Sequence, residues 1–446
     1  MALRLNKIQS AMIKIYKTLF SLLLLSLTVL PIERPLAQTS AVSISEPILL
    51  SPTAPENVGI SAPRLNRINT LLEQAVADQY LPGAVVMIGR KGQIPYLETF
   101  GYRDVAAKDP MAADDIFRMA SMTKPVVSVG IMMLYEEGKF LLDDPIAKFV
   151  PAFAEMEVLD EWNEADGSYT TKAATQAITF RQLLSHTSGI GYPFIHPALG
   201  AIAREKGLIQ GYSTLDVSLE ENMKVLSEMP LVHEPGARWT YGLSTDLLGY
   251  LIEVISGQAL DEYLAERIFE PLGMKDTHFY MSESKADRLA GLYFHNDAAQ
   301  VQVNPDPNGK FPYTGARRYF SGGAGLVSTA TDYAAFLQML LNKGDYNGHI
   351  LLGKKTVELM TMDHLHGTPG GPEAFGLGFA ITTERGAAQK LGSPGNYRWA
   401  GIFGTDFWVD PQEELFGIIM TQVLPFQNKD AFFARIQNAI YQSIID

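Results

Sequence analysis

The chain has 446 residues, 47% of them hydrophobic and 19% charged, with a formal net charge of −13. That length exceeds one small core and that composition is globular, while the acidic balance without a basic stripe argues against a nucleic-acid partner. With no cysteine anywhere, disulfides, thiolate metal sites and a lipoprotein anchor are all excluded.

The chain opens on Arg4, Lys7, Lys14 and Lys17, followed by an apolar run over residues 19–30 and then Pro35, Leu36 and Ala37. The run is too short to span a bilayer. A basic, then apolar, then small-residue order is that of a secretory signal peptide, here residues 1–37. The competing reading is an uncleaved anchor. Cleavage near Ala37 would give an exported protein, periplasmic or secreted, with no stable membrane anchor. Residues 38–60 are rich in Ser, Pro, Thr and Ala without periodicity and read as a linker.

In residues 64–80, Leu65, Ile68, Leu71, Leu72 and Ala75 recur at helical spacing. Residues 83–104 read as two strands about the turn Lys91-Gly92. Residues 120–138 come next, opening on Ser121-Met122-Thr123-Lys124 and almost wholly apolar from 126 to 134. A helix that is apolar all round is a buried one. Pro125 fits its first turn and Gly138 its end. Residues 142–166 are acidic and loop-like. Thr179 is placed as the N-cap of a short helix, and residues 219–229, 245–255 and 261–269 have helical spacing, with Gly257 closing the second. The last third returns to short β-rich segments at 375–383, 396–403, 405–409 and 415–423. An amphipathic helix follows over 428–446, with Phe432, Ile436, Ile440 and Ile444 on one face. This order predicts an α+β fold: an antiparallel sheet flanked by helices and built from both chain ends (61–144 and 291–446), with a mainly helical domain, 145–290, inserted.

Residues three apart on a helix are neighbours. Ser121 Oγ therefore lies within reach of the Lys124 amine, a way to activate a hydroxyl nucleophile without histidine. Two further segments bear on it. The turn-rich loop 234–244 presents Tyr241 ahead of a helix, and a tyrosine near an ammonium loses its proton more readily. Trp399-Ala400-Gly401-Ile402 stands at a strand end, where backbone N–H donors are offered.

With these segments in order, together with residues 183–189 (LLSHTSG), 271–274 (PLGM) and 322–326 (GGAGL), the chain resembles the serine β-lactamase-like hydrolases over roughly residues 60–440. That group includes class C β-lactamases, DD-peptidases and family VIII carboxylesterases. The resemblance implies that fold, no cofactor and no metal. It makes Ser121 the acylated nucleophile and Lys124 and Tyr241 the proton-transfer groups, with Tyr241 as the base. It makes the backbone N–H groups of Ser121 and Ile402 the oxyanion hole. Trp399, Gly401 and Leu243 fall at substrate-binding positions. Two departures point away from a lactamase. Leu243 stands where lactamases have Asn in their second motif, and Trp399 stands for the lysine of their third, as in some family VIII esterases. The expected activity is cleavage of small carboxylic esters. The alternatives are a β-lactamase or D-amino-acid peptidase or amidase, and a non-catalytic cell-wall or partner-binding scaffold. On residues alone Tyr241 also reads as a packed aromatic and Trp399 as core. His186 reads as structural, and the pair His364 and His366 as incidental to a loop.

Overall fold

A computed structural model describes residues 50–304 and 315–446; the expected signal peptide and residues 38–49 of the expected linker lie outside them. Residues 51–60, the end of that expected linker, are bound to the body. In β1 (Ser51–Pro52), Ser51 and Pro52 pair in parallel with Gln93 and Ile94, and Val58 and Ile60 are buried. The two apolar side chains fasten a segment whose Ser/Pro-rich composition reads as loose. Helix α1 (Arg67–Ala77) follows, burying Ile68, Leu72 and Ala75. Strands β2 (Gly83–Arg90) and β3 (Gln93–Asp104) turn at Lys91 and Gly92. Both turn residues have positive φ (51° and 75°), the conformation that two-residue hairpin turns favour. Strand β4 (Asp109–Pro110) hangs on β3. Then comes α2 (Thr123–Glu136), preceded by a 3-10 turn, Ala120–Met122, and buried along residues 123–134. Gly138, at φ 71°, lets Lys139 N–H donate back to Leu134 (3.1 Å) and stops the helix.

The stretch read as an acidic loop carries the first strand, β5 (Glu157–Trp162), of a hairpin whose second strand, β6 (Tyr169–Ala173), follows just beyond it. Its side chains are mostly exposed, so it lacks the apolar alternation by which a strand is read from sequence. Helices α3 (Phe180–Leu184) and α4 (Leu219–Ser227) each start at a capping box, Thr179 with Gln182 and Ser218 with Glu221. Helix α5 (Ser244–Ser256) ends at Gly257 with φ 75°. Helix α6 (Ala330–Leu341) starts from a Thr329 cap. Strands β7 (Ala374–Phe375), β8 (Ala380–Ile381), β9 (Tyr397–Ala400), β10 (Thr405–Asp410) and β11 (Leu415–Met420) precede the closing helix α7 (Lys429–Tyr441).

Among the described residues the main sheet has nine strands, in the order β1-β3-β2-β11-β10-β9-β8-β7 with β4 beside β3. Every pairing is antiparallel except β1 with β3. Both ends of the chain thus build one sheet, as the order of elements predicts. Its central strands β2, β11 and β10 are buried along their whole length because both faces are covered. Val85 and Met87 join Phe407 and Ile418 in one core with α2, α5 and α6. Ala84, Val86 and Ile88 join Trp408 and Ile419 in a second core with α1 and α7.

Candidate active site

Ser121 lies in the 3-10 turn that feeds α2. Ala120 before it has φ 45°, a left-handed conformation that costs a non-glycine residue on the order of 1–3 kcal/mol and tends to occur at functional sites. The turn offers the Ser121 hydroxyl to a cavity of about 770 Å³. One helical turn on, Lys124 is only 1% exposed. Its ammonium donates to Ser121 Oγ (3.2 Å), to Tyr192 Oη (3.0 Å) and to the Gly323 carbonyl (2.7 Å). It also lies 4.7 Å from the Tyr241 ring centre. Tyr241 Oη and Ser121 Oγ are 2.6 Å apart. The three residues expected to do the chemistry are therefore in mutual contact.

Burial pushes the Lys124 ammonium down, but Tyr192, Tyr241 and Asp246 around it outweigh burial and hold it above its ordinary value. Lys124 is thus a fixed cation rather than a free amine. Burial pushes the Tyr192 phenol up against the pull of Lys124. Asp246 is fully buried at the start of α5 and accepts from Ser321 Oγ (2.6 Å), while its Oδ2 has no partner among the described residues. Burial raises its pKa and Lys124 opposes the rise. A Cβ on Gly323 would come within 2.3 Å of that carboxylate. The glycine of the 322–326 motif thus lets the acid and the lysine's carbonyl acceptor share one place.

Sequence reading missed Tyr192 and Asp246. Nothing local marks Tyr192, whose role comes from a contact between distant segments. Asp246 did leave a signal, an acid in the first turn of a helix whose next residues are mostly apolar, since a buried carboxylate demands a partner.

The other expected residues divide. Trp399, Gly401 and Ile402 line the cavity with Ser121. Trp399 packs on Tyr241 (5.5 Å) and edge-on to Phe375 (5.3 Å). Ile402 is 50% exposed, inside a turn closed by Gly404 N–H on the Gly401 carbonyl (3.2 Å). Its amide and that of Ser121 stand where a turn leaves its first N–H groups without a partner of its own. Leu243 departs from expectation: it is fully buried in the larger core and does not line the cavity. Burying an isobutyl group gains about 2 kcal/mol over leaving it exposed, so the core claims that side chain. His186, at φ 55°, sets its ring edge-on to Tyr241 (5.1 Å) and Trp239 (5.9 Å). Burial, then Lys124, pushes its pKa down to about 3, so the imidazole is neutral. His364 is engaged by the Leu359 carbonyl (2.9 Å) and Arg181 (3.2 Å).

The profile of the beta-lactamase family matches residues 68–439. The chain is 35% identical, over 364 residues, to an uncharacterised protein of Mycobacterium tuberculosis, covering 79% of this chain and 88% of that one. It is 29% identical over 390 residues to esterase EstB of Burkholderia gladioli, covering 83% and 95%. Among solved structures it is similar to EstCE1, described as a hydrolase with promiscuous acyltransferase activity. The TM-score is 0.72 at 28% identity, over 85% of this chain and 99% of that one.

Proposed function

The chain belongs to the beta-lactamase family, and on that premise we propose that it cleaves small carboxylic esters through an acyl-enzyme on Ser121. It is an enzyme of a serine hydrolase fold whose members hydrolyse or transfer acyl groups. The observation that carries the reading is the contact of Ser121, Lys124 and Tyr241 at the wall of an aromatic-lined cavity.

Tyr241, whose Oη stands 2.6 Å from Ser121 Oγ, acts as the base and takes the Ser121 proton while Oγ bonds to the ester carbonyl carbon. The negative charge moves to the carbonyl oxygen, which the Ser121 and Ile402 amides receive. The intermediate collapses, the C–O bond to the alcohol breaks, and Tyr241 returns its proton to the departing alkoxide. Water repeats the sequence on the acyl-enzyme: Tyr241 takes a proton from it as it attacks, the acyl–Oγ bond breaks, Tyr241 returns the proton to Ser121 Oγ, and the carboxylic acid leaves. Lys124 stays an ammonium throughout, and Asp246 and Tyr192 hold it in place.

Trp399 supports an ester over a β-lactam. Trp399 brings no charge to the carboxylate that a β-lactam presents beside its amide, and its one N–H is buried. A charge-assisted hydrogen bond is worth about 1.5–3 kcal/mol net, so its absence weakens recognition roughly ten- to a hundredfold. An uncharged ester does not need it, and its alkoxide leaves more easily than an amine. We expect kcat/KM for short-chain p-nitrophenyl esters to exceed that for nitrocefin by about a hundredfold or more, and Trp399→Lys to narrow the gap. Equal rates on p-nitrophenyl acetate and nitrocefin would replace this reading with a lactamase. A fluorophosphonate probe should label wild type and leave Ser121→Ala unlabelled; an unlabelled wild type would point to a scaffold. The order of residues 1–37 supports export to the periplasm or medium, and no described helix is long and apolar enough to cross a membrane. N-terminal sequencing of the mature protein tests this, and retention of residues 19–30 would refute it.

A further inference from the structure

The cavity is not apolar throughout. Its walls near Ser121 are aromatic, but where it meets the start of α7 it is lined by Arg398, Lys429 and Asp430. Arg398 and Trp399 are successive residues of β9, so their side chains leave opposite faces of the sheet. The charged end is therefore not the place where a third-motif lysine would act.

Its cations are incompletely matched. Arg398 Nη2 donates to Asp406 (2.8 Å), but its Nε has no partner among the described residues. Lys429 is half-buried and its ammonium makes one long hydrogen bond, to the Gly401 carbonyl at 3.5 Å; Asp406 feels its charge, but among the described residues no carboxylate stands in ion-pair range of it. Asp430 is exposed, where water and salt screen its charge. A small adjoining cavity of about 110 Å³ shares Arg398 and Asp430 and adds Lys390 and Asp406, which leaves three cations against two carboxylates around this end.

We infer that this end of the cavity is a carboxylate-reading subsite with Lys429 as its cation, and that the preferred esters carry a second, ionised carboxyl group, as half-esters of dicarboxylic acids do. The inference rests on the ester-hydrolase reading above. A partly hydrated lysine–carboxylate contact stands at the low end for charge-assisted hydrogen bonds, so the preference it adds is about tenfold in kcat/KM. Support of the Gly401 peptide by Lys429 is a different role, and it would favour every substrate alike.

Two matched pairs separate these roles. On the acyl side, mono-p-nitrophenyl adipate is set against p-nitrophenyl hexanoate. On the alcohol side, 4-(butyryloxy)benzoate is set against its methyl ester. The ratio of kcat/KM, anionic over neutral, is measured in wild type, Lys429→Met and Lys429→Arg, so that intrinsic reactivity cancels between proteins. In at least one pair the ratio should fall about tenfold in Lys429→Met, recover in Lys429→Arg, and shrink in wild type as salt is raised. Equal losses on both members of each pair, or unchanged ratios, overturn the subsite. Calorimetric titration of Ser121→Ala protein with the adipate monoester removes the dependence on turnover. Adding Lys429→Met should weaken that binding about tenfold, and an unchanged affinity overturns the subsite. If wild type cleaves no ester yet Lys429→Met still weakens binding, the ester reading falls and the subsite stands.

Discussion

At Tyr241 packing and chemistry coincide. Trp239 stacks nearly parallel to its ring at 5.9 Å, Tyr192 and His186 meet it edge-on, and Trp399 leans on it at 5.5 Å. An aromatic cage of this kind fixes the phenol at Ser121 before substrate arrives, which is how a base gains from position. Tyr241→Phe and Lys124→Ala should each lower kcat/KM by about a hundredfold or more, and the double variant by far less than the product, because the groups act as a unit. A Tyr241→Phe enzyme at near wild-type rate would remove Tyr241 as the base. Tyr192→Phe should cost less, about tenfold, because the Lys124 ammonium keeps its two other acceptors. His186 has a separate signature in stability. Its folded pKa of about 3 lies below the ordinary 6.5, so between those values the unfolded chain binds a proton that the folded one does not, and stability falls as pH drops below 6.5. From pH 6.5 to 5 wild type should lose about 2 kcal/mol more than His186→Asn, which tolerates the same left-handed backbone. Parallel denaturant melts of the two proteins test this, and equal pH dependence would show that the imidazole titrates normally.

Elements whose signal is local are legible in the sequence, and those whose reason lies across the fold are not. The Ser121–Lys124 spacing, the Lys91-Gly92 turn and the buried run in α2 each follow from short-range rules. The β5–β6 hairpin does not, because strands with little buried surface carry no alternation. The packing of Val58 and Ile60 is decided by α7, hundreds of residues away. Tyr241 is readable from its loop only with a family in view, whereas Tyr192 and the burial of Leu243 appear only once α2, α5 and the loops between are brought together. Gly401 is a case where the element explains the residue. A Cβ there would stand 2.4 Å from the Met119 carbonyl and 2.2 Å from Thr405 Oγ1, so the end of β9 closes onto the nucleophile turn only through glycine. Gly401→Ala should push Ile402 away from Ser121 and lower kcat at least tenfold, since displacing an oxyanion donor commonly costs more than that, while circular dichroism stays native. An unchanged kcat would mean that the oxyanion is received elsewhere.

Over the whole molecule, the second core depends on the last helix. Phe432, Phe433, Ile436 and Ile440 of α7 cover Trp408 and Ile419 on the outer face of the sheet. Each such side chain contributes about 1.5–3 kcal/mol, and their sum rivals the 5–15 kcal/mol that separates folded from unfolded domains. Truncation after residue 427 should therefore yield protein that aggregates or lacks a cooperative melt, and a truncated chain that melts normally would show the second core to be dispensable. That helix also ties residues 59–61 to the C-terminal residues. Ser61 N–H donates to the Ser443 carbonyl (2.8 Å) and Ile445 N–H to the Gly59 carbonyl (2.9 Å). Yet Val85 in β2 pairs with Met420 in β11, a partner that the chain reaches only near its other end. Closing such a loop is slow, and folding rates fall as pairings become more distant along the chain. Joining residues 446 and 50 through a short Gly–Ser linker, and opening the exposed turn between β5 and β6, makes β11, α7, α1 and β2 successive. The β2–β11 pairing then closes locally while β5 and β6 come to opposite ends of the chain, so the main sheet should form faster in refolding than it does in the parent, with the β5–β6 hairpin forming last.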